Sequence, residues 1–499
     1  MSTERVDRRQ FVIGSRPYSG KIGNWTSIKI NNKMYLSYER SLPLIEDYDS
    51  NGTAFYIMGI AVQTHPEKKE PKDEVKYGHE RIEEIYSSWA GRWVFFTSTE
   101  LHMDFSGLLG CYYAFIDGEL WVSSSVRILS DLIGKNYEQD PLSNSRMNWY
   151  PPPVSANPLV KALLPSQIIN LQEGKIKARQ LFPSSKMQYS ESEALDILEH
   201  SLLIGMKAVA TKYNVWIPLS AGYDSRLLLA AAARSGIHTK TYTNRKTNRW
   251  PWFSRKFPST SLVSHADMSL PPLIARACGF EHQWIPEKEV EWEKLWEFDS
   301  HTAKGILEND RVYYARGQWD WPQDNDAILL GQVMEIGTCF FHSLFKTPGV
   351  LPQIDEVVDF YNLKHHRHQE KGILEYIDWV NEYLKLFPED IDWRDRFYLE
   401  QRLRGWLSPL QQGLDLVLGE RIHLYNSQMF ICALLCLPEK KRRRKNFVKE
   451  LIDRMAPELN NIPYNPPDPF CYGLKKKIIK AMKMSPREYW SIIHRKMKR

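Results

Sequence analysis

The stretch from Val215 to Ala233 constrains the fold of this chain more than any other. Val215 to Ile217 are apolar, Pro218 to Arg226 read PLSAGYDSR, and Leu227 to Ala233 form an apolar run. An apolar segment, a small-residue turn and an apolar-periodic run predict strand, tight loop and helix. The loop then lies at a helix N-terminus, where free backbone N–H groups and the positive end of the helix dipole make an anion site. Ser220 and Ser225 add hydroxyl donors, and Ala221 and Gly222 let the backbone approach the anion closely. Asp224 would repel a bare phosphate, so its presence implies a divalent cation carried on the anion. These features together are read as a nucleotide site; the plainer alternative is a turn that ends a buried strand.

At 499 residues, with 43% hydrophobic and 25% charged residues, the chain has the size and composition of a soluble globular protein of two or three domains. The first thirty residues hold no apolar block of secretory length and no run approaches a membrane span, so a cytoplasmic location is expected. The six cysteines form no CxxC pair and read as core thiols, including Cys432 and Cys436 in FICALLCLP. Net charge is +6, but Lys475 to Arg499 holds ten Lys or Arg against Glu488 alone, which leaves the rest near −3. Leu474, Ile478, Ile479 and Met482 recur at helical spacing in that tail, the pattern of a basic amphipathic helix. A solvated terminal helix fits it, and so does a helix docked on an anionic membrane surface, nucleic acid or an acidic partner.

Alternating apolar segments such as TAFYIMGIAV, GRWVFFTS and ELWVSSS, broken by turn residues, make the first 180 residues β-rich. Ser190 and Glu193 form a predicted capping box ahead of the helical stripe Leu195, Leu198, Leu202 and Met206. Strand-like and helical segments then alternate as in an open α/β sheet, and from about Asp355 the pattern is mostly helical.

SAGYDS resembles the SGGxDS pyrophosphate-binding loop of N-type ATP pyrophosphatases, in particular the synthetase domain of asparagine synthetase-like enzymes, with Ala221 in place of a glycine. No GxxxxGK[ST] loop competes with it. The resemblance continues in order. HTKTYT (His238 to Thr243) stands where that family holds adenine through strand backbone, which places Tyr242 and Thr243 at the cofactor. Asp267, Gly279 and His282 match an acidic residue, a Gly turn and a His. GQVMEIG (Gly331 to Gly337) stands where the family has GEGxDE: Gly331 is kept, Glu335 takes the place of the magnesium-binding acid, and Gln332, Val333 and Ile336 depart from the pattern. Glu420 and Arg421 lie near an acidic and basic pair of the family's helical part, and Lys445 in KNFVK matches a lysine over the ATP phosphates. The matches run from about Gly91 to Pro463.

Upstream, GRWVFFTSTELHMDFSGLLGCYYAF resembles the family's glutaminase-type domain, with Asp104 and Gly107 in its RDxxG region. That reaction needs a cysteine at residue two, where the thiolate attacks the amide. Here Ser2 occupies the position and no cysteine precedes Cys111, so an inactive glutaminase is expected.

The resemblance therefore implies a glutaminase-like αββα sandwich of the Ntn type over residues 1–185, an open parallel α/β sheet of the adenine nucleotide α-hydrolase kind with a helical C-terminal region over 186–470, and the basic tail 471–499. It implies an ATP-dependent, AMP- and pyrophosphate-forming amide ligase using ATP and Mg2+. Ser220, Ala221, Gly222, Asp224, Ser225, Tyr242, Thr243 and Gly331 would bind the nucleotide, Asp224 and Glu335 the metal, and Lys445 and Glu420 would be catalytic; Tyr398 and Tyr425 join Glu420 as candidate bases. The substrate would be a small-molecule, peptide or glycan carboxylate, with an amine or ammonia as acceptor and no nucleic acid. The alternatives within the resemblance are an intramolecular macrolactam (lasso-peptide) cyclase and a weakened homologue that binds nucleotide or a partner without turnover. A tRNA-modifying relative is disfavoured by the missing thiol and zinc cysteines. The tryptophans Trp250, Trp252, Trp284, Trp292 and Trp296 suit either a bulky substrate or the core.

Overall fold

The computed structural model describes residues 7–20, 23–78, 80–134, 146–182, 189–245, 265–286, 318, 321–386 and 391–466. Ser2, Trp250, Trp252, Trp292, Trp296 and the basic tail lie outside them.

The N-terminal half is built from twelve strands: β1 Phe11–Gly14, β2 Trp25–Lys29, β3 Tyr35–Glu39, β4 Leu44–Tyr48, β5 Ala54–Gln63, β6 Trp89–Thr97, β7 Glu100–Met103, β8 Tyr112–Ile116, β9 Glu119–Ser123, β10 Lys161–Ala162, β11 Gln167–Asn170 and β12 Lys175–Ala178. They form two antiparallel six-stranded sheets, in the orders β10-β8-β9-β1-β3-β2 and β12-β11-β7-β6-β5-β4. Side chains alternate across a strand, so β6 shows directly what each face meets. Val94 and Phe96 join Phe11 and Ile13 in the core between the sheets. Trp93 and Phe95 point outward and are covered by Val75, Ile85 and Tyr86. On the other sheet Val12 and Trp121 are covered by Val126, Ile128 and Leu129 of the helix Val126–Ile133. Both faces of both sheets are thus buried, which gives a helix, sheet, sheet, helix sandwich.

The C-terminal half holds a parallel sheet of β13 Asn214–Pro218, β14 Lys240–Arg245, β15 His282–Pro286, β16 Asp326–Leu329 and β17 Glu420–Ile422, in the order β15-β14-β13-β16-β17. Parallel strands bury both faces and read as continuous apolar runs, as AIL in β16 does. The predicted capping box holds: the Ser190 hydroxyl accepts the Glu193 N–H and the Glu193 carboxylate accepts the Ser190 N–H, opening the helix Glu191–Ala210. The order of strands reverses between β13 and β16. The segment around Glu420 is a correction to the sequence reading: it lies in a strand and not in the expected helical region. Three buried residues after Gly419 add to the exposed edge of β16, with Ala327, Ile328 and Leu329 opposite Glu420, Arg421 and Ile422.

The two halves share one core. Val62, Phe105, Leu108 and Trp149 pack with Leu198, Ile217, Leu399 and Tyr425. Buried polar contacts fix their relation: Arg92 makes a two-pronged pair with Asp415 at 2.8 and 2.9 Å, and Arg404 donates to the carbonyls of Cys111 and Leu163. No described helix is long and apolar enough to cross a membrane.

Candidate functional site

In an open parallel sheet the crevice where strand order reverses, at the carboxyl ends of the strands, is where ligands bind. Leu219 to Tyr223 leave β13 at that point and Leu330 to Val333 leave the adjacent β16. The two loops are close enough that a Cβ on Gly331 would sit 3.1 Å from both Asp224 Cβ and the Ser225 nitrogen. A side chain at Gly331 would crowd the facing loop, whose backbone would have to give by a few tenths of an ångström.

The SAGYDS loop is shaped by its own hydroxyls. The Ser220 N–H donates to Ser225 Oγ at 3.2 Å, the Gly222 N–H donates to Ser220 Oγ at 3.1 Å, and the two hydroxyls lie 3.3 Å apart. The Ala221 N–H donates to Asp267 Oδ1 at 2.8 Å, so the acidic residue matched downstream holds the loop from the side. The helix Asp224–Arg234 begins immediately afterwards, and its first-turn N–H groups have no acceptor within the helix. The first-turn N–H groups and the two hydroxyls thus form a cradle at the positive end of an eleven-residue helix.

Asp224 and Glu335 lie near enough at this cradle for the charge of one to act on the other. Asp224 Oδ1 and Glu335 Oε2 are both sealed from solvent with no hydrogen-bond donor. Burial, then the neighbouring Glu335 charge, pushes the Asp224 carboxyl up to about 7, against the pull of Lys445. Burial likewise raises Glu335, opposed by Arg402, Lys445 and a hydrogen bond from Tyr398. Two facing carboxylates with orphaned oxygens are a poor arrangement for stability and a good one for a cation. Among the described residues no set of three or more His, Cys, Asp and Glu could hold a metal. A two-carboxylate set fits Mg2+, which keeps waters and phosphate oxygens for its remaining positions.

Lys445 also arrives at the loop. It sits at φ 56° ahead of the helix Asn446–Met455, with Nζ 4.9 Å from the ring centre of Tyr223. Tyr223 stacks on Tyr464 at 4.2 Å, Arg226 lies 3.8 Å over Tyr464, and the Asn465 N–H donates to the Ala221 carbonyl at 3.1 Å. The segment after the last helix therefore closes over the loop. No local sequence signal marks the stacking.

Other predicted site residues are placed elsewhere. Glu420 begins β17, at the end of the sheet opposite the crevice, where its carboxylate pairs with Arg9 of the N-terminal half. It joins the two halves and is not brought to the cradle. The Tyr242 ring packs on Trp321 at 4.8 Å, and the Thr243 hydroxyl donates to the Leu219 carbonyl. Their side chains hold β14 beside the loop, and Tyr242 also accepts the Leu219 N–H on its carbonyl. Of the other candidate bases, Tyr425 donates to the Asp224 carbonyl at 2.8 Å, and burial holds both tyrosines well above the usual phenol range. Neither is a base as placed. In the RDxxG-like region Asp104 accepts the N–H groups of Ser106, Leu108, Leu109 and Trp93 as well as the Asn426 amide, so it organises a turn and has no oxygen left for a substrate.

Comparison with known proteins adds little. No family model matches the chain, and no curated protein matches it. Among solved structures, a glutamine phosphoribosylpyrophosphate amidotransferase from B. subtilis complexed with ADP and GMP aligns at 12% identity over 67% of this chain and 72% of that one, with a TM-score of 0.21. A second, described as the allosteric regulatory enzyme of purine biosynthesis, aligns at 12% identity over 57% of this chain and 76% of that one, with a TM-score of 0.22. Superpositions this poor carry no argument about fold or activity; the αββα sandwich and the parallel sheet stand on their own strand order.

Proposed function

We propose that this chain is an ATP-dependent amide ligase of the asparagine synthetase-like kind, which activates a carboxylate as its adenylate and transfers it to an amine or ammonia. One observation carries the reading: an anion cradle at the switch point of the sheet faces two carboxylates whose sealed oxygens, Asp224 Oδ1 and Glu335 Oε2, have no partner. In the first step a carboxylate oxygen attacks the α-phosphorus, the bond to the bridging oxygen breaks and pyrophosphate leaves. In the second the amine attacks the acyl carbon, AMP leaves and the amine loses a proton. Ser220, Ser225 and the first-turn N–H groups would hold the pyrophosphate, and Lys445 would add positive charge as it departs. Asp224 and Glu335 would hold Mg2+, which when bound offsets charge on the phosphates. The segment carrying Tyr464 and Asn465 would keep the loop in its binding shape.

The amine is proposed to come from ammonia, a partner or the substrate itself. A terminal nucleophile must open a central strand, and β1 opens at Phe11, after a turn in which Arg9 is tied to Glu420.

The test is exchange of labelled pyrophosphate into ATP with Mg2+ and a pool of carboxylates. Exchange that depends on an added acid is the expected result. A macrolactam cyclase would restrict it to one peptide. ATP binding without exchange under every acid would instead favour a nucleotide-binding homologue, a reading to which the apolar Val333 at φ 87° and Ile336 in the second loop lend support.

A further inference from the structure

Arg402 lies on the π-helix Tyr398–Leu407, four residues after Tyr398 and near enough to Glu335 for its charge to act on that carboxyl. π-helical segments are rare and recur at functional sites. Its guanidinium carbon is 4.3 Å from the ring centre of Trp406 and 5.3 Å from those of Trp149 and Phe340. Gly405 makes room for this packing, since a Cβ there would lie 2.5 Å from Trp149 Cδ1. Aromatic faces hold a guanidinium by its plane and leave its edge N–H groups free.

Neighbouring arginines behave differently. Arg394 donates to Asp392 and the Phe345 carbonyl, and Arg404 to the Cys111 and Leu163 carbonyls. These two arginines spend their donors on the protein, as buried structural groups do. Arg402 has no hydrogen-bond acceptor among the described residues, and it is half-buried, so its fork reaches open space. Beside it Phe340 is 38% exposed and packs on Tyr398 at 5.3 Å. A positive fork with unused donors, an exposed ring and Glu335, whose carboxyl feels the Arg402 charge, therefore lie together.

We propose that Arg402 is a substrate-recognition residue that takes a carboxylate in two-pronged fashion, with an aromatic or apolar group of the same molecule against Phe340. That the bound acid is the acyl substrate rests on the ligase reading; the site itself does not. The fork matches a planar carboxylate and not a neutral amide of the same shape.

The experiment titrates the full chain, without nucleotide, with benzoate and with benzamide, following tryptophan fluorescence and calorimetry. Benzoate is expected to bind about tenfold tighter than benzamide, the worth of a charge-assisted pair. Arg402→Gln should erase the preference with the thermal midpoint kept, and Arg402→Lys should restore part of it. Phe340→Ala, at an exposed position, should weaken both probes equally. Equal binding of the two probes by the native chain overturns the proposal, as does a folded Arg402→Gln that keeps the preference. If Arg402→Gln does not fold, unchanged benzoate binding by Phe340→Ala overturns it. Because no ATP is present, failure of pyrophosphate exchange leaves this result untouched, and failure here leaves the exchange assay standing.

Discussion

In the sandwich half, Asp104 accepts four backbone N–H groups and an amide, and Arg92 meets Asp415 on two prongs with both side chains 4% exposed. In the parallel-sheet half, Asp224 and Glu335 face each other with one oxygen apiece unpartnered, and Arg402 holds its fork against three rings. Asp104 and Asp415 are more deeply buried than Asp224 and Glu335, yet it is the first two whose carboxylates are satisfied. Buried polar groups that are fully paired specify a structure, whereas those left unpaired reduce stability and persist where a ligand completes them.

The largest test of that contrast is Arg92→Ala. It leaves Asp415 as a buried, uncompensated charge and should lower unfolding free energy by about 3–5 kcal/mol in denaturant titrations. A loss under 1 kcal/mol would show that this pair is not what joins the halves. Asp224→Asn should do the reverse. Pyrophosphate exchange is expected to fall about 10²–10³-fold, while the thermal midpoint stays level or rises because a repulsion between facing carboxylates is gone. A variant that loses stability along with activity would make Asp224 a structural residue.

Acid titration sharpens the same comparison. Burial alone would raise Asp415, but Arg92, with Arg9 and Arg421 behind it, holds it below the usual carboxylate range. A carboxyl depressed in the folded state adds stability above its unfolded pKa, near 3.9, and loses it as pH falls through the lower folded value. The denaturation midpoint should therefore drop steeply below about pH 4, and Arg92→Ala should blunt that drop; parallel acid limbs for the two proteins would contradict the assignment. The smallest effect is expected at Ser190→Ala, which removes the cap from the helix Glu191–Ala210 and should cost about 1 kcal/mol. Exchange activity should be unmoved, because the Ser190 hydroxyl serves only the helix end, where it accepts the Glu193 N–H.

Much of this was legible in the residues. PLSAGYDSR announced strand, loop and helix because small residues and a switch in apolar period are local signals, and Ser190 with Glu193 announced a cap for the same reason. Asp224, Glu335, Lys445 and Gly331 were singled out by the order of motifs and do converge on one crevice. Glu420 was misplaced because an acidic residue near the chain's helical end gives no hint that it will pair with Arg9, 411 positions away. Tyr464 and Arg402 were passed over: an aromatic residue after a helix and an arginine in FYLEQRLRGW look like ordinary packing.

By itself, then, the sequence determined the local chemistry of the SAGYDS loop, the capped helix before it and the β-rich character of the first half, all set by neighbours within a few residues. Only the tertiary structure decided which carboxylates are paired and which are orphaned. Pairing depends on what long-range packing brings within about 3 Å in a medium too poor in water to compensate a miss. That is why the loop was readable as a strand and turn from the start, while its partnership with Glu335, Lys445 and the Tyr464 segment appeared only once β13 and β16 lay side by side.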